Sequence, residues 1–482
     1  MSALKFPMDR YTEKSTTVKT RNGEARVDYK LYENIVYVEK PVLPEFQSMN
    51  VEVPARVNGE PVDTTDVPIL LAVRVGAYMA TKCGGVRLSF MMPPQKEDSE
   101  TPTDSGPSSG KKKKGPPPPI KDDDRILGLA LAAGWVVIRP GNRGRGLKGP
   151  DGTWLGKAPA TIVDLKSVVR YIRHNRGVMP GNPEHIVSHG LSAGGAMSAL
   201  LGASGNSPLY DDDCRKIGAA EARDDIFATG VFCPMCDLEH ADVAYEWMYG
   251  PFENQRDGQK VDQEISRRMA KEFAAYQKSL GLTCRDTGEP LTADTYKAYL
   301  DRAYLIPAAN AFLSEMREEQ RTAYLSKYPW LKWDGGSTHF TVDDLHEDTG
   351  RLKELPAFDS PGKTGECEIF GTPDQTGENF TTAYREACGE KDTAVPVPVQ
   401  KQAKLMNPLP FILNGNPGCS SHWWIRLGAR DNGISFSVAG NLAAGLEKQE
   451  KDVSLKFYWD AGHYTDLDPE DFVDWIQHLT GK

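Results

Sequence analysis

Residues Glu184 to Ser198 read EHIVSHGLSAGGAMS, and this stretch restricts the fold more than any other. Ile186 and Val187 suggest the end of a buried strand, and Gly190-Leu191-Ser192-Ala193-Gly194 follows as G-x-S-x-G. Gly195, Ala196, Ser198, Ala199 and Leu200 then read as a helix with a small-residue face. A serine on so sharp a strand-to-helix turn needs strained backbone, and side chains two residues to either side would collide with the neighbouring strand and helix. Such a turn lifts the Ser192 hydroxyl above a sheet. It lies there beside a helix N-terminus whose N–H groups favour a developing oxyanion. Strand, G-x-S-x-G and small-faced helix are the layout of a nucleophile elbow.

The rest of the chain supplies the matching rhythm. Ile35 to Val42 and Met49 to Val57 read as short strands, and Val67 to Val75 (VPILLAVRV) as a central strand of a covered sheet. ILGLALAAG from Ile126 is helical in composition, and Trp135 to Ile138 is a short strand. Thr161 to Asn175 carries Ile162, Leu165, Val168, Val169 and Ile172 at helical spacing. Gly230 to Cys233 is the strand expected after the elbow helix. Pro408 to Leu413, His422 to Leu427 and Leu455 to Trp459 read as later strands, and Pro469 to Leu479 as a closing helix. The fold class expected is α/β, a mainly parallel sheet with helices on both faces.

With 482 residues the chain should hold one large core with an insertion, or two domains. The core is expected over 1–236 and 401–482. From Asp237 the rhythm changes to amphipathic helices (Ile265 to Leu280, Tyr296 to Tyr304) and a long polar tract, so 237–400 reads as an inserted lid domain. Gln95 to Arg125 contains SETPTDSGPSSG, four consecutive lysines and four consecutive prolines. It buries too little to offset its ordering entropy and is expected to be a mobile loop that catalysis does not need.

Composition narrows the partners. A net charge of −10 argues against nucleic acid or an anionic membrane as the main partner. No stretch is apolar enough to span a bilayer, and MSALKFPMDRYTEK lacks a secretory h-region, so a cytoplasmic location is expected. Of eight cysteines, Cys233 and Cys236 form the only C-x-x-C. No second pair completes a zinc site, and neither a metal nor another cofactor is expected.

A serine hydroxyl needs a base. His463, in Trp459-Asp460-Ala461-Gly462-His463-Tyr464 after the last strand, sits where the base falls in a Ser…acid…His order. His189 should point away from Ser192, and His185, His240 and His478 read as solvent or structural residues. The acid that orients the imidazole is expected at Asp431, in a turn after the His422 strand, with Asp237 as the alternative. The small-residue loop Gly76-Ala77-Tyr78 follows a central strand, the place from which a second oxyanion N–H comes in this layout.

The combination of Gly76-Ala77-Tyr78-Met79, Pro140-Gly141-Asn142-Arg143-Gly144-Arg145, Gly190 to Gly195, Ala244-Tyr245-Glu246-Trp247-Met248, Lys353 with Pro356-Ala357-Phe358-Asp359, His422 to Gly428, and Asp431 with His463 resembles the bacterial tannases over nearly the whole chain. These are tannin acylhydrolases of the α/β-hydrolase fold. The resemblance implies a triad of Ser192, Asp431 and His463, and oxyanion donors at Ala193 and in the Gly76-Ala77 loop. It also implies a gallate-binding lysine at Lys353, with Glu366 or Glu368 as its glutamate partner. It makes the insertion the family's lid. The family's second carboxylate, two residues after the triad acid, is replaced by Gly433. Leu191, Gly462 and Tyr464 stand where fungal tannases and their feruloyl esterase relatives place a disulfide pair beside Ser and His, so that type is excluded.

The expected function is hydrolysis of galloyl or related phenolic acyl esters, small molecules, through an acyl-enzyme. Feruloyl or other aromatic carboxylesterase activity is the alternative. Peptidase or lipase chemistry is weaker still, since nothing supplies a membrane-facing apolar lid. A catalytically silent binding scaffold is the contrasting class.

Overall fold

The computed structural model describes residues 4–84, 125–254, 258–387, 389, 393–463 and 467–481. The low-complexity loop expected from Gln95 lies outside the described residues up to position 124, and Arg125 opens the first helix.

Among the described residues one ten-stranded sheet organises the molecule. Its antiparallel start is β1 (Thr12–Thr20), β2 (Gly23–Val36) and β3 (Ser48–Val57), with the short β4 (Glu60–Pro61) beside β3. β5 (Ile69–Val73), β6 (Val136–Pro140), β7 (Ile186–Leu191) and β8 (Ala228–Phe232) follow in the chain. After a short hairpin in the insertion, β9 (Lys332–Trp333) and β10 (Thr338–His339), come β11 (His422–Gly428) and β12 (Asp452–Tyr458). The spatial order is β1-β2-β3-β6-β5-β7-β8-β11-β12, parallel from β6 to β12.

The near-continuous apolar runs are explained by burial on both faces. Ile69, Leu71 and Val73 point into one core, and Leu70 and Ala72 into the other. The second core is closed by α1 (Arg125–Ala132) and the last helix, Pro469–Thr480, whose Phe472, Val473 and Ile476 face inward. The first is covered by α2 (Ala160–His174), α3 (Ala193–Ala203), the short α4 (Asp211–Lys216) and the helix Phe436–Lys448.

Residues 237–400 enter after β8. They form α5 (Leu238–Tyr249), α6 (Gln263–Ser279) and α7 (Ala293–Leu300), which runs through a π-turn into α8 (Ile306–Ser314). α9 (Glu318–Lys327), α10 (Val342–Thr349), α11 (Thr382–Ala387) and α12 (Val397–Leu405) complete the segment. Buried Tyr245, Tyr249, Tyr296, Leu345 and Phe358 join the same apolar cluster as the sheet residues, so the insertion shares its core with the sheet. Among the described residues no helix is long and apolar enough to cross a membrane.

Two expectations are corrected. Pro408 to Leu413 is not a strand but the start of the short helix α13 (Leu409–Leu413). Pro408 and Pro410 have no N–H to give a central ladder, and Asn407 Oδ1 accepts the Leu409 N–H at the helix start instead. The strand expected over Ile35 to Val42 stops at Val36; Glu39 and Lys40 donate to the carbonyls of Gly218 and Ile217. The helices Phe436–Lys448 and Pro469–Thr480 are α14 and α15.

One packing detail carries a stability prediction. His346 on α10 is fully buried between the rings of Tyr249 and Phe436, and among the described residues neither ring nitrogen has a hydrogen-bond partner. Burial pushes its pKa down to about 3. The unfolded chain therefore binds a proton below about pH 6.5 that the folded chain refuses, and stability falls as the pH drops through that range. Between pH 7.5 and 5 the wild type should lose about 2 kcal/mol more than His346→Phe, read from urea midpoints. Equal losses would contradict the assignment.

Candidate active site

The loops that carry Gly76-Ala77, Ser192, Asp431 and His463 leave the sheet at the carboxyl ends of its parallel strands, where open α/β sheets hold their ligands. Ser192 follows β7 with φ 61° and ψ −123°, a strained conformation for a residue with a Cβ. Its glycines are required by close backbone approach. A Cβ on Gly190 would stand 2.2 Å from the Gly194 carbonyl oxygen, one on Gly194 2.5 Å from that of Val73, and one on Gly195 2.5 Å from that of Phe232. The Ser192 N–H donates to the Phe232 carbonyl at 2.9 Å, and the Met235 N–H donates to the Ser192 carbonyl at 3.2 Å.

His463 stands between Ser192 and Asp431. Its Nε2 is 2.9 Å from Ser192 Oγ, and its Nδ1 is 2.8 Å from Asp431 Oδ2. Asp431 is buried, while Ser192 and His463 are half-buried. The second carboxylate oxygen of Asp431 accepts the Gly433 N–H at 3.0 Å. The His463 loop crosses directly over the end of β11. A Cβ on Gly428 would lie 2.2 Å from the Gly462 carbonyl oxygen, and Arg430 ties the loops further through Asp460 at 2.7 Å and the Ala461 carbonyl at 2.8 Å. An imidazole held this way can take a proton from the hydroxyl through Nε2 while the carboxylate fixes Nδ1–H.

Asp237, the alternative acid, is occupied elsewhere. It accepts from Tyr276, from Asn407 at 2.6 Å, and pairs with His240 at 2.8 Å. His189 lies against Phe232 and Phe472 on the opposite side of the sheet.

The Ala193 N–H belongs to the first turn of α3, where an α-helix has no internal acceptor. The loop after β5 comes close to this turn, since Gly194 packs on the Val73 and Val75 backbone. Ala77 and Tyr78 both take positive φ, 47° and 59°, and the Met79 N–H closes the turn on the Gly76 carbonyl at 2.9 Å. This strain is braced from the Pro140–Gly146 loop. The Arg145 N–H donates to the Tyr78 carbonyl at 2.8 Å, and a Cβ on Gly144 would meet that oxygen at 2.5 Å. Arg143 anchors the bracing loop on buried Asp164 at 2.8 Å.

The two glutamates have different surroundings. The Lys353 ammonium lies 3.5 Å from the centre of the Phe358 ring and 3.4 Å from the Ala357 carbonyl. Burial lowers its pKa, opposed by the charges of Glu366, Asp242 and Asp431 in that order. Of the two glutamates, Glu366 is the one whose charge acts on Lys353. Glu368 pairs instead with Arg145 at 3.4 Å. Lys157 holds this segment through the carbonyls of Glu368, Phe370 and Thr376, and burial brings its pKa to about 8.

Sequence reasoning missed the residue that joins the two halves of the site. Tyr245 on α5 is buried, and its hydroxyl accepts the N–H groups of Leu352 at 3.1 Å and Lys353 at 3.0 Å while donating to the Asn432 carbonyl at 3.0 Å. Tyr249, one turn on, donates to the Asp431 carbonyl at 3.3 Å. Beneath them Glu246 and Arg351 form a fully buried pair, with Ser266 and the Lys353 and Glu354 carbonyls completing their hydrogen bonds. The i, i+4 spacing of the two tyrosines in Ala-Tyr-Glu-Trp-Met-Tyr was the available signal.

Known proteins align with this architecture. The family model described as BD-FAE matches residues 153–271. Esterase LipQ of Mycobacterium tuberculosis is 30% identical over 115 residues, 24% of each chain, so the match spans about a quarter of that relative. A tannin acyl hydrolase solved in complex with 3,4-dihydroxybenzoate is 29% identical over 99% of both chains, with a TM-score of 0.82. The tannase of Fusobacterium nucleatum is 31% identical over 99% of both chains, with a TM-score of 0.80. A full-length likeness in sequence and in fold settles the family: the chain belongs to the bacterial tannases, carboxylic ester hydrolases built on the α/β-hydrolase fold.

Proposed function

We propose that the chain is a serine esterase that cleaves esters of hydroxylated benzoic acids, gallate and protocatechuate foremost. The observation that carries this reading is the unbroken line from Ser192 Oγ through His463 to Asp431. Ser192 attacks the ester carbonyl while His463 Nε2 takes its proton, and Asp431 stabilises the imidazolium. The oxyanion is met by the Ala193 N–H and one from Gly76 or Ala77. Collapse expels the alcohol, protonated by His463, and water repeats the sequence on the acyl-Ser192 ester.

The ring is held by the inserted segment 237–400, which acts as a lid domain. Lys353, less basic through burial, donates to phenolic oxygens, and Glu366 accepts their protons. The ligand of the 3,4-dihydroxybenzoate complex is a ring of this kind. Gly433 supplies no carboxylate beside the triad acid, so the third hydroxyl finds one partner fewer.

A site built to hydrogen-bond hydroxyls rejects a ring without them, because its own polar groups are left unpaired. Methyl gallate and methyl protocatechuate should exceed methyl benzoate by at least ~10²-fold in kcat/KM. Gallate and protocatechuate should lie within about tenfold of each other, one hydrogen bond's worth. Lys353→Ala should collapse the preference over benzoate. Benzoate turned over as well as gallate, or unchanged selectivity in the variant, would refute the reading; a strong preference for methyl ferulate would favour a feruloyl esterase.

Tyr245→Phe removes the acceptor of two N–H groups and the link to Asn432. It should lower kcat/KM for gallate about 10- to 100-fold and for benzoate far less, since the displaced group is Lys353. Equal losses on both esters would show that Tyr245 serves stability alone.

A further inference from the structure

We propose that Cys233, Asp431 and His463 form an inhibitory site for a thiophilic divalent cation such as Zn²⁺ or Cd²⁺. The two cysteines of the C-x-x-C motif form no disulfide. Cys236 is buried with its thiol pKa pushed far up by burial and by the Asp237 charge. Cys233 is the first residue past β8, turned by a φ of 43°, with its N–H donated to the Arg426 carbonyl at 2.8 Å. That turn sends its side chain toward the Asp431–His463 pair. One ligand atom from each of the three residues lies within 4.8 Å of the other two. Sulfur, imidazole nitrogen and carboxylate oxygen are the donors that zinc and cadmium favour. Bond lengths of about 2.0–2.3 Å place such donors about 3–4 Å apart around one ion. Side-chain adjustments of about an ångström bring the three donors onto a common centre.

The proposal rests on the serine-esterase reading, because the ion acts by capturing two members of the triad. Nδ1 of His463, the nitrogen facing Asp431 at 2.8 Å, is the one the ion takes. The imidazole proton then resides on Nε2, which donates toward Ser192 Oγ and can no longer accept its proton. The Cys233 thiol loses its proton to solvent as the metal–sulfur bond forms, so binding one ion releases one proton. Asp431 changes partner from Nδ1–H to the metal. Apart from these proton shifts no covalent bond of the chain changes, and a chelator reverses the arrest. Ser192 and His463 are half-buried, which leaves the site open to a small hydrated ion from the substrate side.

The test uses the full-length enzyme, freed of metal with EDTA and titrated with ZnCl₂. Turnover of a small ester is followed in parallel with calorimetry. The wild type should bind one ion per chain, lose more than nine-tenths of its activity and recover it with EDTA. Cys233→Ala should retain esterase activity and need at least ~30-fold more zinc for the same loss, the difference of one strong ligand. Cys233→Ser, closer in size, serves if the alanine variant fails to fold. Ser192→Ala should still bind one ion by calorimetry, a readout independent of turnover; if Ser192→Ala kept full activity while binding stayed intact, the triad reading would have failed and not the site. Equal zinc sensitivity in Cys233→Ala and wild type, absence of saturable binding, or Cys233-dependent binding that leaves turnover intact would each overturn the proposal.

Discussion

Three backbones converge on the turn at Ser192. Gly190, Gly194 and Gly195 let β7, the end of β5 and the end of β8 approach to distances at which no side chain fits. That convergence holds Ser192 at positive φ, a conformation costing on the order of 1–3 kcal/mol that persists only where the surroundings over-determine it. The rest of the site follows from it. The close contact with β5 brings the Gly76-Ala77 loop to the first turn of α3. The contact with β8 sets Cys233 and Asp237 at the same edge, and β11 and β12 add the Asp431 and His463 loops beyond them.

A second constraint joins this edge to the insertion. Tyr245 spans the Lys353 backbone and the Asn432 carbonyl, and Tyr249 reaches the Asp431 carbonyl from the same helix face. The buried Glu246–Arg351 pair keeps that helix and the Lys353 loop together. Breaking such a pair by removing one partner leaves a buried charge uncompensated, about 3–5 kcal/mol. The groups proposed to read the ring are therefore fixed to the groups proposed to cut the ester through one helix, α5.

Much of this was legible in the sequence because its signals were local. The elbow announces itself in five residues, and the central strands in apolar runs buried on both faces. Pro408 to Leu413 misled because a short apolar run fits strand and helix equally; the prolines at 408 and 410, which cannot donate to a ladder, were the deciding feature. Glu366 and Glu368 could not be separated by spacing, since both lie in one 3₁₀ turn over Glu366–Ile369 and it is a long-range partner, Arg145, that takes Glu368. The bridging role of Tyr245 was not legible because its partners lie more than a hundred residues away in sequence. The i, i+4 spacing of Tyr245 and Tyr249 places them on one helix face but does not say what that face meets.

Ser192 is the residue proposed to carry the acyl group. That role is tested most directly by treating the active enzyme with a fluorophosphonate probe and mapping the adduct by mass spectrometry. One stoichiometric adduct on Ser192 is expected, its formation slowed by on the order of 10⁴-fold or more in His463→Ala. An adduct on another serine, or an active enzyme that takes none, would contradict it.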